Sequence, residues 1–360
     1  MLSTEVHYRP YQSQDEAAVA ALYQRAFGKA MNLERWRWRF PTTPVGDSHL
    51  LVALTGSGAA ERCAGYLAYC PLPLTDGEAP VNALIALDGM VDPEFHGSGI
   101  FQQLVRRLSD RLPGDVPYIG FPNHRSFGIF IHKLGWVSPG PLAVRLKPLG
   151  VAGLARRSRL LGSLPGRLLG RLARPGIAAY RWWYGRKRTP DVEVTPLEDF
   201  RAMEPAWQRA RSRLGITFRR DPAALMWRFD AAPDEYLKLA LRVAGAVVGM
   251  VVFKVEVRFG FTVAWVMDVF VDAADPREES ALLTAALLRA EAFLPPEVDF
   301  ASLLLPHRRY TRAVSRAGYR WLPRKLLPHD FFFIVRRNAF PERIETIDRW
   351  YLSWSLHDVL

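Results

Sequence analysis

Asp88 and the turn His96-Gly97-Ser98-Gly99-Ile100-Phe101 are the residues of this 360-residue chain best suited to chemistry. A strand carboxylate can take up a proton. A glycine turn running into a helix leaves backbone N–H groups unpaired and aimed outward, and with the helix dipole these make a diphosphate seat. A Walker loop requires Gly-Lys-Ser/Thr at the end of such a turn, and this turn holds no lysine. A dinucleotide fingerprint requires a third glycine where Gln102 stands.

The elements that position these residues are legible. Val81, Ala83, Ile85 and Leu87 alternate as a strand that runs through Asp88-Gly89-Met90-Val91. Ile100, Leu104, Leu108 and Leu112 lie four apart, with Phe101 and Val105 beside them, which predicts an amphipathic helix after the turn. The stretch from Val91 to Phe101 resembles the acyl-CoA pyrophosphate loop of the GNAT (Gcn5-related N-acetyltransferase) superfamily. The family pattern Gln/Arg-x-x-Gly-x-Gly/Ala is matched at Gly99; His96 replaces Gln/Arg and Phe101 replaces the last small residue. Phe121-Pro122-Asn123 through Lys133-Leu134-Gly135-Trp136 is similar to a later stretch of the same family.

Around this unit the order also resembles the family's fold. It runs as a strand at Tyr8–Tyr11, a helix capped by Ser13 and Glu16, a helix from Leu33 to Phe40, and strands at Leu50–Leu54 and Ala64–Leu72. After the unit come a strand Tyr118–Phe121, a helix Ser126–Leu134 and a strand Leu142–Leu146. The second half repeats the first. Trp38-Arg39-Phe40 recurs as Trp227-Arg228-Phe229, Gly65 as Gly249, Asp88 as Asp268, and Pro122 with Gly135 as Pro306 with Gly318. Matches in one order at nearly constant offset indicate a tandem duplication. In the second copy the loop glycines are replaced by Asp275-Pro276-Arg277-Glu278, a helix start whose carboxylates occupy the positive end of the dipole. The expected fold is α/β (α+β): two GNAT-like domains, each a mixed, mostly antiparallel twisted sheet flanked by helices, the second degenerate. The expected division is 1–150, a basic linker 151–190, and 191–360.

Composition sets further bounds. With 49% hydrophobic residues the chain can bury a sizeable core. The net charge of +12 is concentrated between Val151 and Pro190, where no acidic residue accompanies Arg156, Arg157, Arg159, Arg167, Arg171, Arg174, Arg181, Arg186, Lys187 and Arg188. That segment reads as a partly helical connector interrupted by Gly162, Pro165 and Gly170. It could also touch an anionic membrane surface, whereas specific nucleic-acid recognition lacks a base-stacking pattern. Neither a leader nor a spanning run is apparent, and Cys63 and Cys70 read as reduced core thiols, so the expected location is cytoplasmic. The aromatic tail Trp350–Leu360 is expected to dock on the second domain, and no metal pattern is present.

The resemblance implies an acetyl-CoA-dependent N-acyltransferase acting on an amine of a small molecule, sugar or peptide, with CoA held only in the first domain. It implies a seat at His96, Gly97, Ser98, Gly99, Ile100 and Phe101, an oxyanion donor at the amide of Met90 or Val91, a bridging Asn123, and Asp88 as the base. An alkyl ammonium with a pKa of about 10 must lose a proton before it attacks. No general acid is identified, because Ile131 stands where the family often has tyrosine. Two alternatives remain at this stage. One is a non-catalytic adaptor binding a membrane or polyanion through the basic segment; the other is a Fem-type aminoacyl transferase, against which the intact loop argues.

Overall fold

The computed structural model describes residues 5–40, 42–58, 61–114, 116–150, 164–186, 189–323, 331–336, 344 and 346–357. In the first half the strands are β1 (Val6–Pro10), β2 (His49–Thr55), β3 (Arg62–Thr75), β4 (Pro80–Val91), β5 (Tyr118–Gly120) and β6 (Val144–Pro148). The helices there are α1 (Glu16–Phe27), α2 (Leu33–Arg39), α3 (Ile100–Ser109) and α4 (His124–Leu134). A long helix α5 (Leu164–Gly185) leads to the second half. Its strands are β7 (Glu193–Pro196), β8 (Ile216–Phe218), β9 (Leu237–Val243), β10 (Ala246–Arg258), β11 (Phe261–Val271), β12 (Phe300–Leu304), β13 (Arg320–Trp321), β14 (Ile334–Arg336) and β15 (Trp350–Tyr351). Its helices are α6 (Glu204–Leu214), α7 (Pro222–Phe229), α8 (Pro276–Ala290) and α9 (Thr311–Arg316).

Two large, mostly antiparallel sheets result, besides a two-stranded ribbon of Thr42–Thr43 with Gly46–Asp47. The first runs β1-β2-β3-β4-β5-β14, with β8 on the end of β3 and β15 beside β8; the second runs β13-β6-β12-β11-β10-β9-β7. The halves exchange strands. β6 pairs antiparallel with β12 in the second sheet, and β14 pairs antiparallel with β5 in the first. A cut at residue 150 therefore does not separate two closed sheets, and the strand near Leu142–Leu146 is not a member of the first. Strand propensity marks β6 as extended without encoding which sheet edge completes it.

Gly65 and Gly249 occupy matching places on β3 and β10, where a neighbour comes too close for a side chain. A Cβ at Gly65 would lie 2.7 Å from the Ile100 side chain, and one at Gly249 would lie 2.3 Å from the Phe270 carbonyl. Gly65 thus lets α3 press onto β3 and hold its first turn beside β4. Trp38 stacks on Trp227 at 5.3 Å between ring centroids and donates its indole N–H to the Trp227 carbonyl, so this repeated pair joins the two halves.

Three local expectations are corrected. The first helix opens with Asp15 accepting from the Gln12 amide, while Glu16 pairs instead with Arg37. α5 continues through Gly170 and Pro175 instead of breaking. Its C-terminal part is anchored, Tyr180 donating to the Gly318 carbonyl and Arg181 to Leu149, and such tertiary contacts outweigh weak intrinsic propensity. Arg156, Arg157, Arg159, Gly162, Lys187 and Arg188 lie outside the described residues, as do Asp358 and the chain end. The described tail is buried against both halves: Tyr351 donates to the Val269 carbonyl, Ser355 to Met267, and His357 packs on Phe121. Cys63 and Cys70 are free and buried on the single strand β3, and burial pushes both thiols up to about 12.

Candidate acyl-CoA site

The site begins where two parallel strands part. β4 pairs with β5 only at Leu84/Tyr118, Ile85/Ile119 and Ala86/Gly120. β4 then continues to Val91, while the other chain turns away through Phe121-Pro122. Among the described residues, the edge of β4 facing the gap therefore has no strand partner beyond Ala86. On its other edge the register with β3 jumps between Ala68/Leu87 and Tyr66/Met90, a bulge that sets Asp88 and Gly89 against Leu67. Asp88 sits there with φ of 48°, in the left-handed region that Asp tolerates better than most residues.

Successive amides of a strand face opposite edges. The Asp92 amide donates to Ala64 on the β3 side at 2.9 Å. Hence the Val91 amide faces the open gap, and the Met90 amide turns back to β3. Of the two amides expected as oxyanion donors, that of Val91 faces the gap and that of Met90 faces β3; the buried Met90 side chain is part of the core.

Asp92 anchors the turn that follows. Its carboxylate takes bonds from Arg25 and Arg62, both at 2.6 Å, and is 1% exposed. Gly97 and Gly99 both adopt φ of 86°, and nothing lies within 4 Å of where their Cβ atoms would be. Glycine gives this backbone at no steric cost and leaves the space open. Gly99 is the N-cap of α3 and supplies no side-chain cap. Among the described residues, no protein group accepts from the amides of Gly97, Gly99, Ile100, Phe101 or Gln102. Phe101 does not cover them. Its ring turns inward, edge-on to Phe130 at 5.5 Å and against Gly89.

A cavity of about 330 Å³ lies over these amides. Met90, Val91, His96, Gly97, Gly99, Ile100 and Phe101 line it. Ser98 does not; its hydroxyl donates to the Phe95 carbonyl at 2.7 Å and stabilises the turn. His96 is exposed, its Nε2 3.3 Å from the Val91 carbonyl. Asn123 reaches the rim, but its carboxamide oxygen caps α4, accepting from the amides of Arg125 and Ser126 at 3.0 Å each. The carboxamide oxygen therefore serves as a helix cap.

Arg125 and Lys133 were not singled out as site residues from the sequence, yet both line the cavity with Ile129 between them. Spaced four apart on α4, the three share one face, and that spacing was the signal available. They add positive charge opposite the α3 amides, as a bound diphosphate or phosphate requires.

Asp88 lies beyond this cavity, deeper in the gap. Its side chain is 14% exposed, with the Arg39 guanidinium 4.0 Å away. Burial pushes its carboxyl above the ordinary value against the opposing pull of Arg39, Lys29 and Arg35. A carboxylate so placed is a better base than one free in water. Ile131 packs into the apolar layer between α3, α4 and the sheet, so no acid comes from that position.

The second half shows the same frame with its seat closed. Asp272 is held by Arg209 and Arg213 as Asp92 is by Arg25 and Arg62. Asp275 caps α8, accepting from Arg277 at 2.7 Å and Glu278 at 2.9 Å, and Pro276 has no N–H. The buried Glu279 carboxylate pairs with Arg309 at 2.6 Å and accepts from the Tyr310 hydroxyl. Asp268, the counterpart of Asp88, is fully buried in a two-pronged pair with Arg220 at 2.8 Å for each bond. Neither group is available to a ligand. Among the described residues no cluster of metal-ligating side chains occurs, and no helix is long and apolar enough to cross a membrane.

Comparisons agree with this geometry. A family model described as Acetyltransferase (GNAT) domain matches residues 7–137. No curated protein matches the chain in sequence. Among solved structures it is similar to a protein from Enterococcus faecalis V583 described as of unknown function and a probable N-acyltransferase. That pair has a TM-score of 0.58 and 10% identity, and the match covers 93% of this chain and 73% of that one. It is also similar to Saccharomyces cerevisiae N-myristoyltransferase with bound myristoyl-CoA, at a TM-score of 0.60 and 11% identity over 94% of this chain and 80% of the other. A GCN5-related N-acetyltransferase from Anabaena variabilis gives 0.58 and 11% over 96% and 74%. These likenesses establish a shared fold and extend across both sheets.

Proposed function

We propose, on the premise that residues 7–137 belong to the GNAT acetyltransferase domain family, that the chain is an acyl-CoA-dependent N-acyltransferase with one donor site, in its first half. The observation that carries this reading is the row of free amides at the start of α3, beside a strand gap that admits an extended pantetheine arm. The diphosphate lies on the amides of Gly97, Gly99, Ile100, Phe101 and Gln102, faced by Arg125 and Lys133. The thioester carbonyl points its oxygen at the Val91 amide, which stabilises the developing oxyanion. Asp88 takes the proton from the acceptor ammonium, directly or through one water. The amine nitrogen then bonds to the carbonyl carbon, the C–S bond breaks, and CoA leaves as a thiolate that solvent can protonate, since a thiol has a pKa of about 8.5. Acetyl-CoA is the simplest donor consistent with the family. The second half supplies no cofactor seat and borders the acceptor side through the Trp38–Trp227 contact.

A second, compatible reading concerns α5. Trp182 and Trp183 are exposed and Arg186 stacks over Trp182 at 4.3 Å, a pattern suited to peripheral contact with an anionic membrane surface.

The catalytic reading is tested by free-thiol release from acetyl-, butyryl- and hexanoyl-CoA with a panel of amino sugars, aminoglycosides and peptides. Amine-dependent release with at least one acceptor is expected. A chain that binds CoA but releases thiol with none of them would contradict the enzyme.

A further inference from the structure

A second cavity, of about 140 Å³, adjoins the first, and Phe27, Gly89, Phe101, Asn123 and Ser126 border both. Among the described residues, Asp88 is the one charged group on its wall. Around that carboxylate the lining is largely hydrocarbon: Phe27, Phe101, Phe121 and Phe130 contribute rings, and Leu67 and Leu87 aliphatic carbon. Phe121 is held in place by Phe333 and His357, and Phe130 by Phe101 and Trp136. The cavity is partly open, with the exposed Phe27 on its rim. Asn123 commits its carboxamide oxygen to the cap of α4, where it also accepts from the Ser126 hydroxyl at 3.2 Å.

Such a lining selects a cation with an apolar body. A carboxylate and aromatic faces both attract an ammonium, and the hydrocarbon beside them favours burial of whatever apolar group it carries. Sugar hydroxyls in the same place would lie against rings with few partners, which is costly. Further positive charge is disfavoured too. Arg39 stands 4.0 Å from Asp88, and Lys29 and Arg35 also act on its carboxyl from the α1–α2 side, so additional ammonium groups meet like charge. In size the space suits one ring or a short branched chain, since roughly 150 Å³ holds a benzene-sized group. Gly89 follows Asp88 and borders both cavities, so it sets no side chain between an amine on Asp88 and the thioester.

We infer that the acceptor carries a single primary ammonium, seated on Asp88, with an apolar or aromatic substituent of about ring size beside it that fills the space among Phe27, Phe101, Phe121 and Phe130. Amino sugars and aminoglycosides fall outside this class. A free arylalkylamine and a peptide whose first side chain is aromatic both fall within it, the open side leaving room for the rest of a peptide. The inference rests on the acyl-CoA reading above and adds the acceptor class to it. Transfer turns the ammonium into a neutral amide, which is no longer drawn to the carboxylate, and this favours release.

The test needs no turnover: calorimetry on the full chain, first with CoA alone and then with amines at saturating CoA. Phenethylamine is expected to bind at least tenfold more tightly than ethylamine, glucosamine, kanamycin or the uncharged 2-phenylethanol. Asp88→Asn is expected to abolish the preference for phenethylamine over 2-phenylethanol, with CoA binding as the control for the fold. Phenylalanylglycine amide separates the two sources: tighter binding than phenethylamine assigns a peptide, weaker binding a free amine. Phenethylamine binding no better than ethylamine, glucosamine or kanamycin, or an unchanged preference in Asp88→Asn, would overturn the inference while leaving the CoA seat standing. Absence of CoA binding would overturn the seat and the inference together.

Discussion

Gly99→Asp is expected to reduce the affinity for CoA at least a hundredfold while the chain stays folded. Gly99 sits at the head of α3 with open space where a side chain would be, so the new carboxylate enters the seat without a clash. Two unit charges about 4 Å apart repel by about 4 kcal/mol at an effective dielectric of about 20, well above the threshold for a hundredfold loss. The same carboxylate interacts favourably with the helix dipole, which offsets much of the cost of a left-handed Asp. In the second half an Asp caps the corresponding helix from extended backbone, Asp275 at φ of −82°. Calorimetric titration with CoA, alongside thermal unfolding, separates loss of the seat from loss of the fold. Affinity within a few-fold of the wild type would show that the diphosphate lies elsewhere.

Asp88→Asn is expected to lower kcat/KM at pH 7 by two to four orders of magnitude, the usual contribution of a positioned base. The side chain keeps its shape and, as Asn, its tolerance of the left-handed backbone at φ of 48°. Only the proton acceptor is removed. The wild-type pH profile carries the same signature. Because burial raises the carboxyl above its ordinary value, activity falls with acid at a pH higher than an exposed aspartate would give. The sign for stability is opposite to that of a salt-bridged carboxylate. Between the unfolded and the raised folded pKa the native state holds more protons than the unfolded state, so stability falls as pH rises through that window. Above it the penalty for the buried charge is complete. Asp88→Asn is therefore expected to unfold at a higher temperature than the wild type at pH 7, as happens where a functional group is held at a cost to stability. Unchanged kcat/KM across the pH range would remove Asp88 from proton transfer.

The sequence carried the local features well and the long-range ones poorly. The strand through Val91, the turn and the Ile100 helix were legible because hydrophobic period and glycine placement are local properties. The recurrence of Trp38, Gly65 and Asp88 in one order as Trp227, Gly249 and Asp268 was legible in the sequence itself. The exchange of β6 and β14 was not, since an extended segment does not specify its partner edge. Which of Met90 and Val91 offers an amide to the gap depends on the parity set by the Asp92–Ala64 bond, a fact of the register. Asn123 was legible as a turn residue; its commitment to capping α4 is a matter of geometry. Arg125 and Lys133 fell on a helix face whose direction only the packed structure reveals.

Asp88 and Asp268 lie on corresponding strands and differ in their surroundings. Asp88 sits at a bulge, near Arg39 but not locked to it, and open to the gap. Asp268 is sealed against Arg220 with both oxygens engaged. A buried pair of that kind costs several kcal/mol to break, so Asp268 is held in a structural role.

The stoichiometry of CoA binding to the unmodified chain tests the central claim most directly. One CoA per chain is expected, with binding weakened by added salt as the diphosphate contacts are screened. Two per chain would show the second seat to be open, and none would show that the free amides ahead of α3 hold no diphosphate.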